Sequence, residues 1–146
     1  MNSLGDKSDI PTVAIVIPAR NEADYLSRCL QALALQDYPA DHIEIILSDN
    51  GSTDATAEIA RTHGINVLHH PQGRVGAVRN SGARATSSQI LAFVDADCVT
   101  HTNWLSAAVS ALATPGVGVA GGGYLADPRG TWVQHAWAPT RPAPTA

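Results

Sequence analysis

Two aspartates one residue apart, Asp95 and Asp97, directly follow the apolar run Ile90-Leu91-Ala92-Phe93-Val94. A short continuous run of this kind reads as a strand buried on both faces of a parallel sheet, which puts the acids at the strand's carboxyl end. If strand geometry persists through Asp97, side chains at i and i+2 point the same way and both carboxylates face one spot. Two unit charges about 4 Å apart interact by roughly 4 kcal/mol at an effective dielectric near 20, a repulsion that a divalent cation reverses. Mg2+ or Mn2+ suits oxygen ligands and completes its shell from water and a diphosphate. In isolation an Asp-x-Asp pattern reads first as a solvated turn carrying two acids. The remainder of the chain shifts that balance.

The elements that would position this pair follow from periodicity. Thr12 to Ile17 is β-branched and apolar, a buried first strand that Pro18 ends because proline cannot donate to a ladder. Pro18-Ala19-Arg20-Asn21-Glu22 is then a loop, with Asn21 as helix cap. Leu26, Leu30 and Leu33 fall at helical spacing over Glu22 to Gln36. Ile43 to Leu47 is a second strand. In the turn Ser48 to Asp54, Gly51 supplies a backbone that other residues adopt only at a cost, Ser52 or Thr53 caps the next helix, and Asp54 complements its positive end. That helix runs to His63 and closes at Gly64; Ile65 to Leu68 is a third strand. A helix over Ala77 to Ala85 carries Arg79 and Arg84 despite the cost of Gly82. After the strand that ends in the acids, Trp104, Leu105, Ala108, Val109 and Leu112 form a further helical stripe, and Val117 to Ala120 a fifth strand. Strands and helices alternate throughout, which implies a mostly parallel, Rossmann-like α/β sheet with helices on both faces. Ligands of such sheets bind outside the carboxyl ends of the strands. The loops at Pro18 to Glu22, Asp49 to Asp54 and Asp95 to Asp97 should therefore meet along one edge.

Bulk properties restrict the class. A chain of 146 residues is one domain by length, and 45% hydrophobic with 15% charged residues is the composition of a globular protein. A net charge of −4 leaves no basic footprint for nucleic acid. Residues 1–11 read as a flexible lead-in without the apolar core of a signal peptide. The stretch Ala107 to Ala120 is interrupted by Thr114, Pro115 and Gly116, so no segment is long and apolar enough to span a bilayer. Two cysteines, Cys29 and Cys98, are too few for a disulfide framework, and with no export signal a cytoplasmic location, with peripheral membrane association left open, is the expectation.

Four motifs now stand in order: IPARNE at Ile17 to Glu22, SDNGSTD at Ser48 to Asp54, GRVGAVRNSGARA at Gly73 to Ala85 and FVDADC at Phe93 to Cys98. In type, order and spacing they resemble the nucleotide-diphospho-sugar glycosyltransferases of family 2, whose fold is called GT-A. The resemblance covers residues 12–123. It implies that Pro18, Ala19, Arg20 and Glu22 line the nucleoside pocket, that Asp49 accepts a hydrogen bond from the base, typically uracil, and that Arg74 approaches base or phosphates. It further implies that Asn80 shapes the pocket, that Asp95 contacts the ribose or metal region, and that Asp97 of the DxD motif binds Mg2+ or Mn2+. Asn50 stands where many members carry a second Asp. The implied activity is metal-dependent, inverting transfer of a sugar from a nucleotide diphosphate donor, a UDP-sugar by preference, to an unknown glycan, lipid or small-molecule acceptor.

Departures accompany the match. The family supplies its catalytic base from a segment well beyond the metal motif, and residues 124–146 hold only an incomplete acceptor region and a Pro/Ala-rich tail. The resemblance thus implies a fold incomplete at its carboxyl end. Asp127 is a candidate base by default, and its place before Pro128 reads first as a turn. Two alternatives stay open: a donor-binding fragment without turnover, and a metal-dependent nucleotidyltransferase, although the loop after the first strand lacks the glycines that the latter wants. Asp54 reads as a turn former, Arg79 and Arg84 as a solvated helix face, and His69-His70 as a surface pair.

Overall fold

The structure is a computed structural model and describes residues 9–123 and Leu125. The chain divides into two compact units, Met1–Leu105 and Ser106–Ala146, and every site residue discussed below belongs to the first. The expectations for residues 1–8, for Asp127 and for the Pro/Ala-rich tail lie outside the described residues.

Elements alternate as expected: β1 (Val13–Ala19), α1 (Ala23–Ala34), β2 (Ile43–Asp49), α2 (Thr56–Thr62), β3 (Asn66–His69), α3 (Val75–Arg84), β4 (Ile90–Phe93) and α4 (Trp104–Leu112), with a 3-10 turn at Ala40–His42 before β2. The strands form one sheet in the order β3-β2-β1-β4, every pair parallel. Chain direction across the sheet therefore reverses at β1, whose neighbours are β2 and β4. That reversal leaves a crevice beyond the carboxyl end of β1.

Val13 to Ile17 are all 0% exposed, so both faces of β1 are covered. α3 lies against β1 and β2, and Gly82 is what permits the close approach: a Cβ there would run into the Val16 side chain and come within 2.7 Å of Ser48 Oγ. The expected cost of Gly82 inside a helix is thus the condition for docking that helix. Ser48 Oγ, beneath it, is buried without a hydrogen-bond partner among the described residues.

Several expectations need correction. β1 does not stop at Pro18 but runs to Ala19. In a parallel ladder alternate residues direct their polar groups to opposite neighbours. Val16 O accepts from Val94 N on the β4 side and Ala19 O accepts from Asn50 N on the β2 side, so the N–H that Pro18 lacks would point past the end of β4, where no ladder bond is lost. β4 is not buried on both faces, since Leu91 is 42% and Phe93 44% exposed. A run of apolar types carries no record of which neighbours cover it. Val117 to Ala120 forms no strand and has no ladder partner among the described residues. Strand geometry also ends at Phe93, two residues before Asp95, so the i and i+2 argument for the acid pair does not apply.

Candidate functional site

Asp95 and Asp97 still reach one place, by a turn in place of a strand. Cys98 N donates to Asp95 O at 3.0 Å, which closes the turn; Ala96 is buried at 3% exposure while both acids are exposed. Ala96 acts as the anchor and the flanking carboxylates project outward. They line a cavity of about 470 Å3 at the β1 crevice, together with Pro18 and Ala19 at the end of β1, Arg20 and Glu22 after it, Asn50 after β2, and Val75, Val78 and Arg79 of α3.

The loop after β1 is held by residues far along the chain. Asn21 takes the left-handed conformation at φ 57°, which excludes it as the expected cap. Its N–H donates to Ser52 Oγ at 3.0 Å, and its Oδ1 accepts from Thr53 N at 2.8 Å. The start of α1 is capped in trans: Glu22 N donates to Thr56 Oγ1 at 2.8 Å and Ala23 N to Asp54 Oδ2 at 3.1 Å. Asp54 Oδ1 in turn accepts from Thr56 N at 2.9 Å and from the Thr56 hydroxyl. Asp54 thereby satisfies orphan donors at the amino ends of both α1 and α2. Neither Ser52 nor Thr53 caps α2, whose cap position is Ala55 with no side-chain bond. These donated bonds hold the Asp54 carboxyl below the ordinary carboxylate range, the Thr56 hydroxyl contributing most. Gly51, at φ 70°, makes the turn as expected.

Asp49 ends β2, 3% exposed, and does not line the cavity. Its Oδ1 accepts from Ser52 N at 3.1 Å and its Oδ2 lies 3.2 Å from His69 Nδ1. His69 is aligned with Asp49 in the β2–β3 register, so the expected surface histidine partners a buried acid. Arg74, at the cap position of α3, and Asn80 are both exposed and stand outside the cavity lining. Arg79, read from sequence as a solvated face, is instead in the lining and ion-pairs with Asp95, Nη2 to Oδ1 at 2.5 Å. Placing the helix start at Val75 in place of Ala77 would have found it, because Val75, Val78 and Arg79 then fall at i, i+3 and i+4 on one face.

Charge in the cavity is unbalanced. Arg20 and Arg79 face three carboxylates, Glu22, Asp95 and Asp97. Glu22 is held above its ordinary value, first by burial and then by the charges of Asp97, Asp54 and Asp95. Asp95 has its guanidinium, whereas Asp97 accepts from the Cys98 thiol, Sγ to Oδ1 3.7 Å, and makes no ion pair among the described residues. Beneath the turn, Cys29 Sγ lies 3.8 Å from Asp95 O, and burial pushes that thiol up to about 12, so it packs under the turn and is no nucleophile.

A parallel sheet with an acid-rich cavity at its switch point is the arrangement in which open α/β proteins bind their ligands. The Glycosyl transferase family 2 profile matches residues 14–142, and the chain belongs to that family. The glycosyltransferase AglE of Haloferax volcanii is 40% identical over 122 residues, covering 79% of this chain and 40% of AglE. Among solved structures, the mannosyltransferase PcManGT of Pyrobaculum calidifontis in complex with GDP-Man and Mn2+ superposes with a TM-score of 0.68 at 28% identity, covering 73% of this chain and 33% of that one. S. aureus TarS 1-349 in complex with UDP-GlcNAc gives 0.64 at 25% identity, covering 69% and 31%. The fold is thus the expected GT-A type. The chain spans 40% of AglE and about a third of each of these two structures. No helix among the described residues is long and apolar enough to cross a membrane.

Proposed function

We propose that the cavity binds the nucleoside diphosphate part of a sugar donor, together with a divalent cation, for transfer of the sugar to an acceptor hydroxyl. The carrying observation is the lining itself: two guanidiniums against three carboxylates at the β1 switch point. A diphosphate entering this cavity meets excess negative charge unless a cation comes with it. The donor set fits Mg2+ or Mn2+, which is held through one or two carboxylates and takes its other ligands from water and phosphate oxygens. Asp97 and Asp95 would supply those carboxylates; among the described residues no cluster of three or more His, Cys, Asp or Glu could cage an ion unaided. When bound, the cation neutralises charge that builds on the departing diphosphate.

The chain's own groups do the positioning. Arg79, oriented by Asp95, presents its guanidinium to the phosphates, and Arg20 lies at the same rim. Pro18 and Ala19 form the floor beneath the nucleoside, with Val75 and Val78 as its apolar wall. Asp49, aligned with Ala19 in the β1–β2 register and held by Ser52 N, stands beside this floor outside the lining. Arg74 and Asn80 act from outside the lining. PcManGT is complexed with GDP-Man and TarS with UDP-GlcNAc, so guanosine and uridine diphosphate sugars are both candidate donors. Inversion at the anomeric carbon requires a base opposite the leaving group, and Asp127 is the default candidate.

Calorimetric titration with UDP, GDP and their sugars, in Mn2+, in Mg2+ and in chelator, tests this reading. Saturable heat with a divalent ion and its loss in chelator is the expected result. Absence of heat in every condition removes the donor site, and equal heat in chelator removes the cation. Saturable binding with neither transfer nor donor hydrolysis would select a second reading, donor binding without turnover.

A further inference from the structure

We propose that Asn50 is a positioning residue that sets the far wall of the cavity by latching the backbone of Gly73, an inference that rests on the nucleotide reading above. The β2–β3 ladder ends when His70 N donates to Asp49 O at 2.8 Å, and one residue later the backbone N–H of Asn50 is turned the other way, to Ala19 O at 2.8 Å. The Asn50 side chain continues the pairing where the backbone cannot. Its Oδ1 accepts from Gly73 N at 2.8 Å and its Nδ2 donates to Gly73 O at 3.0 Å. A primary amide that offers one acceptor and one donor to the N–H and C=O of a single residue does what a neighbouring strand would do.

This latch acts on the residues immediately after Gly73. Arg74 is the cap position of α3 and Val75 its first residue, and Val75, Val78 and Arg79 make up the α3 side of the cavity. The first turn of α3 is built on Arg74 O, which accepts from Ala77 N at 2.9 Å and Val78 N at 3.2 Å. Asn50 therefore ties the entry of α3 to the end of β2, and with it the distance across the cavity. The segment has little slack of its own at this point, since a Cβ on Gly73 would meet His70 Cε1 at 2.9 Å and one on Gly51 would meet Gln72 Cγ at 3.1 Å. The requirement is for an amide: an aspartate at position 50 keeps the acceptor for Gly73 N but turns a carboxylate oxygen toward Gly73 O, with no proton to share.

Asn50→Ala and Asn50→Asp are compared with the unaltered full chain by amide hydrogen exchange without ligand, by thermal unfolding, and by calorimetric titration of UDP and GDP with Mn2+. In Asn50→Ala the Gly73 and Ala77 amides should exchange at least tenfold faster while β1 and β2 amides keep their rates, and nucleotide affinity should fall about tenfold. Asn50→Asp should lie between. A residue that only contacts ligand would leave exchange in the free protein unchanged, and a residue that only stabilises the fold would lower the unfolding temperature and accelerate exchange throughout; either result overturns the proposal, as does faster exchange with undiminished affinity. If the unaltered chain binds neither nucleotide, the nucleotide reading fails and takes this inference with it, whereas binding by the unaltered chain that Asn50→Ala matches overturns the latch alone.

Discussion

The loop that follows β1 and the turn that follows β4 face each other across one cavity, yet they are held in different ways. Asn21, Glu22 and Ala23 each donate or accept a hydrogen bond with a residue of the β2 loop or the first residue of α2, more than thirty positions away, and the loops rest on strands without exposed faces. The acid turn ends an edge strand among the described residues, leans on the Ala96 side chain, and has one ion pair, Arg79 to Asp95. One wall is fixed before any ligand arrives. The other keeps a carboxylate, Asp97, whose side-chain hydrogen bond among the described residues is to a thiol at 3.7 Å. A preorganised wall suits the nucleoside of the proposed donor, while a carboxylate with little internal commitment is free for an external cation.

The largest effect should come from the loosely held side. Asp97→Asn removes a charge that contributes little to the fold, so the unfolding midpoint should move by no more than a few degrees, while Mn2+-dependent nucleotide affinity falls on the order of a hundredfold, the upper end of what losing even an outer-shell partner of a metal ligand costs. Paired calorimetry and thermal unfolding check it. A large loss of stability with retained affinity would invert the comparison and make the acid turn the structural wall.

On the fixed side, Gly82→Ala should destabilise without a selective effect on cation binding. The added methyl has to displace the Val16 side chain or Ser48 Oγ, both fully buried. Overpacking of this kind costs about 1–3 kcal/mol, and urea unfolding reads it directly. A neutral substitution would mean that α3 is docked less tightly than the fixed-wall picture requires.

The contrast between the two walls also separates what could be read from the chain alone. β1, β2, the alternation of elements and the meeting of the Pro18, Asn50 and Asp95 loops were legible, because apolar β-branched runs and helical spacing are local signals and the parallel topology does the rest. The trans-capping of α1 was not, since Asp54 and Thr56 lie 31 and 34 residues from the N–H groups they satisfy. Asn21, Ser52 and Thr53 carry the same side-chain chemistry as a local cap, so local propensity assigned them one. The exposure of Leu91 and Phe93 and the His69 to Asp49 contact depended on sheet order and register, which no single segment encodes. Of the residues carried over on resemblance, Pro18, Ala19, Arg20, Glu22, Asp95 and Asp97 come together; Asp49, Arg74 and Asn80 lie outside the lining.

Asp54 gives the smallest of these effects and the one with a distinctive pH dependence. Asp54→Asn should cost about 1 kcal/mol, the scale of a lost helix cap, because the amide cannot accept at both oxygens as the carboxylate does from Ala23 N and Thr56 N. The folded-state pKa of Asp54 is depressed by these donors, below an unfolded value of about 3.9. Its contribution is therefore fully present above that value and is lost as pH falls through the folded one. The stability gap between the unaltered chain and Asp54→Asn, measured by urea unfolding, should stay constant from neutral pH down to about 5 and narrow as the pH drops below about 4. A gap that widened with acid would mean that the carboxyl is not the acceptor at the two helix starts, and the β1 loop would then be held no more firmly than the acid turn opposite it.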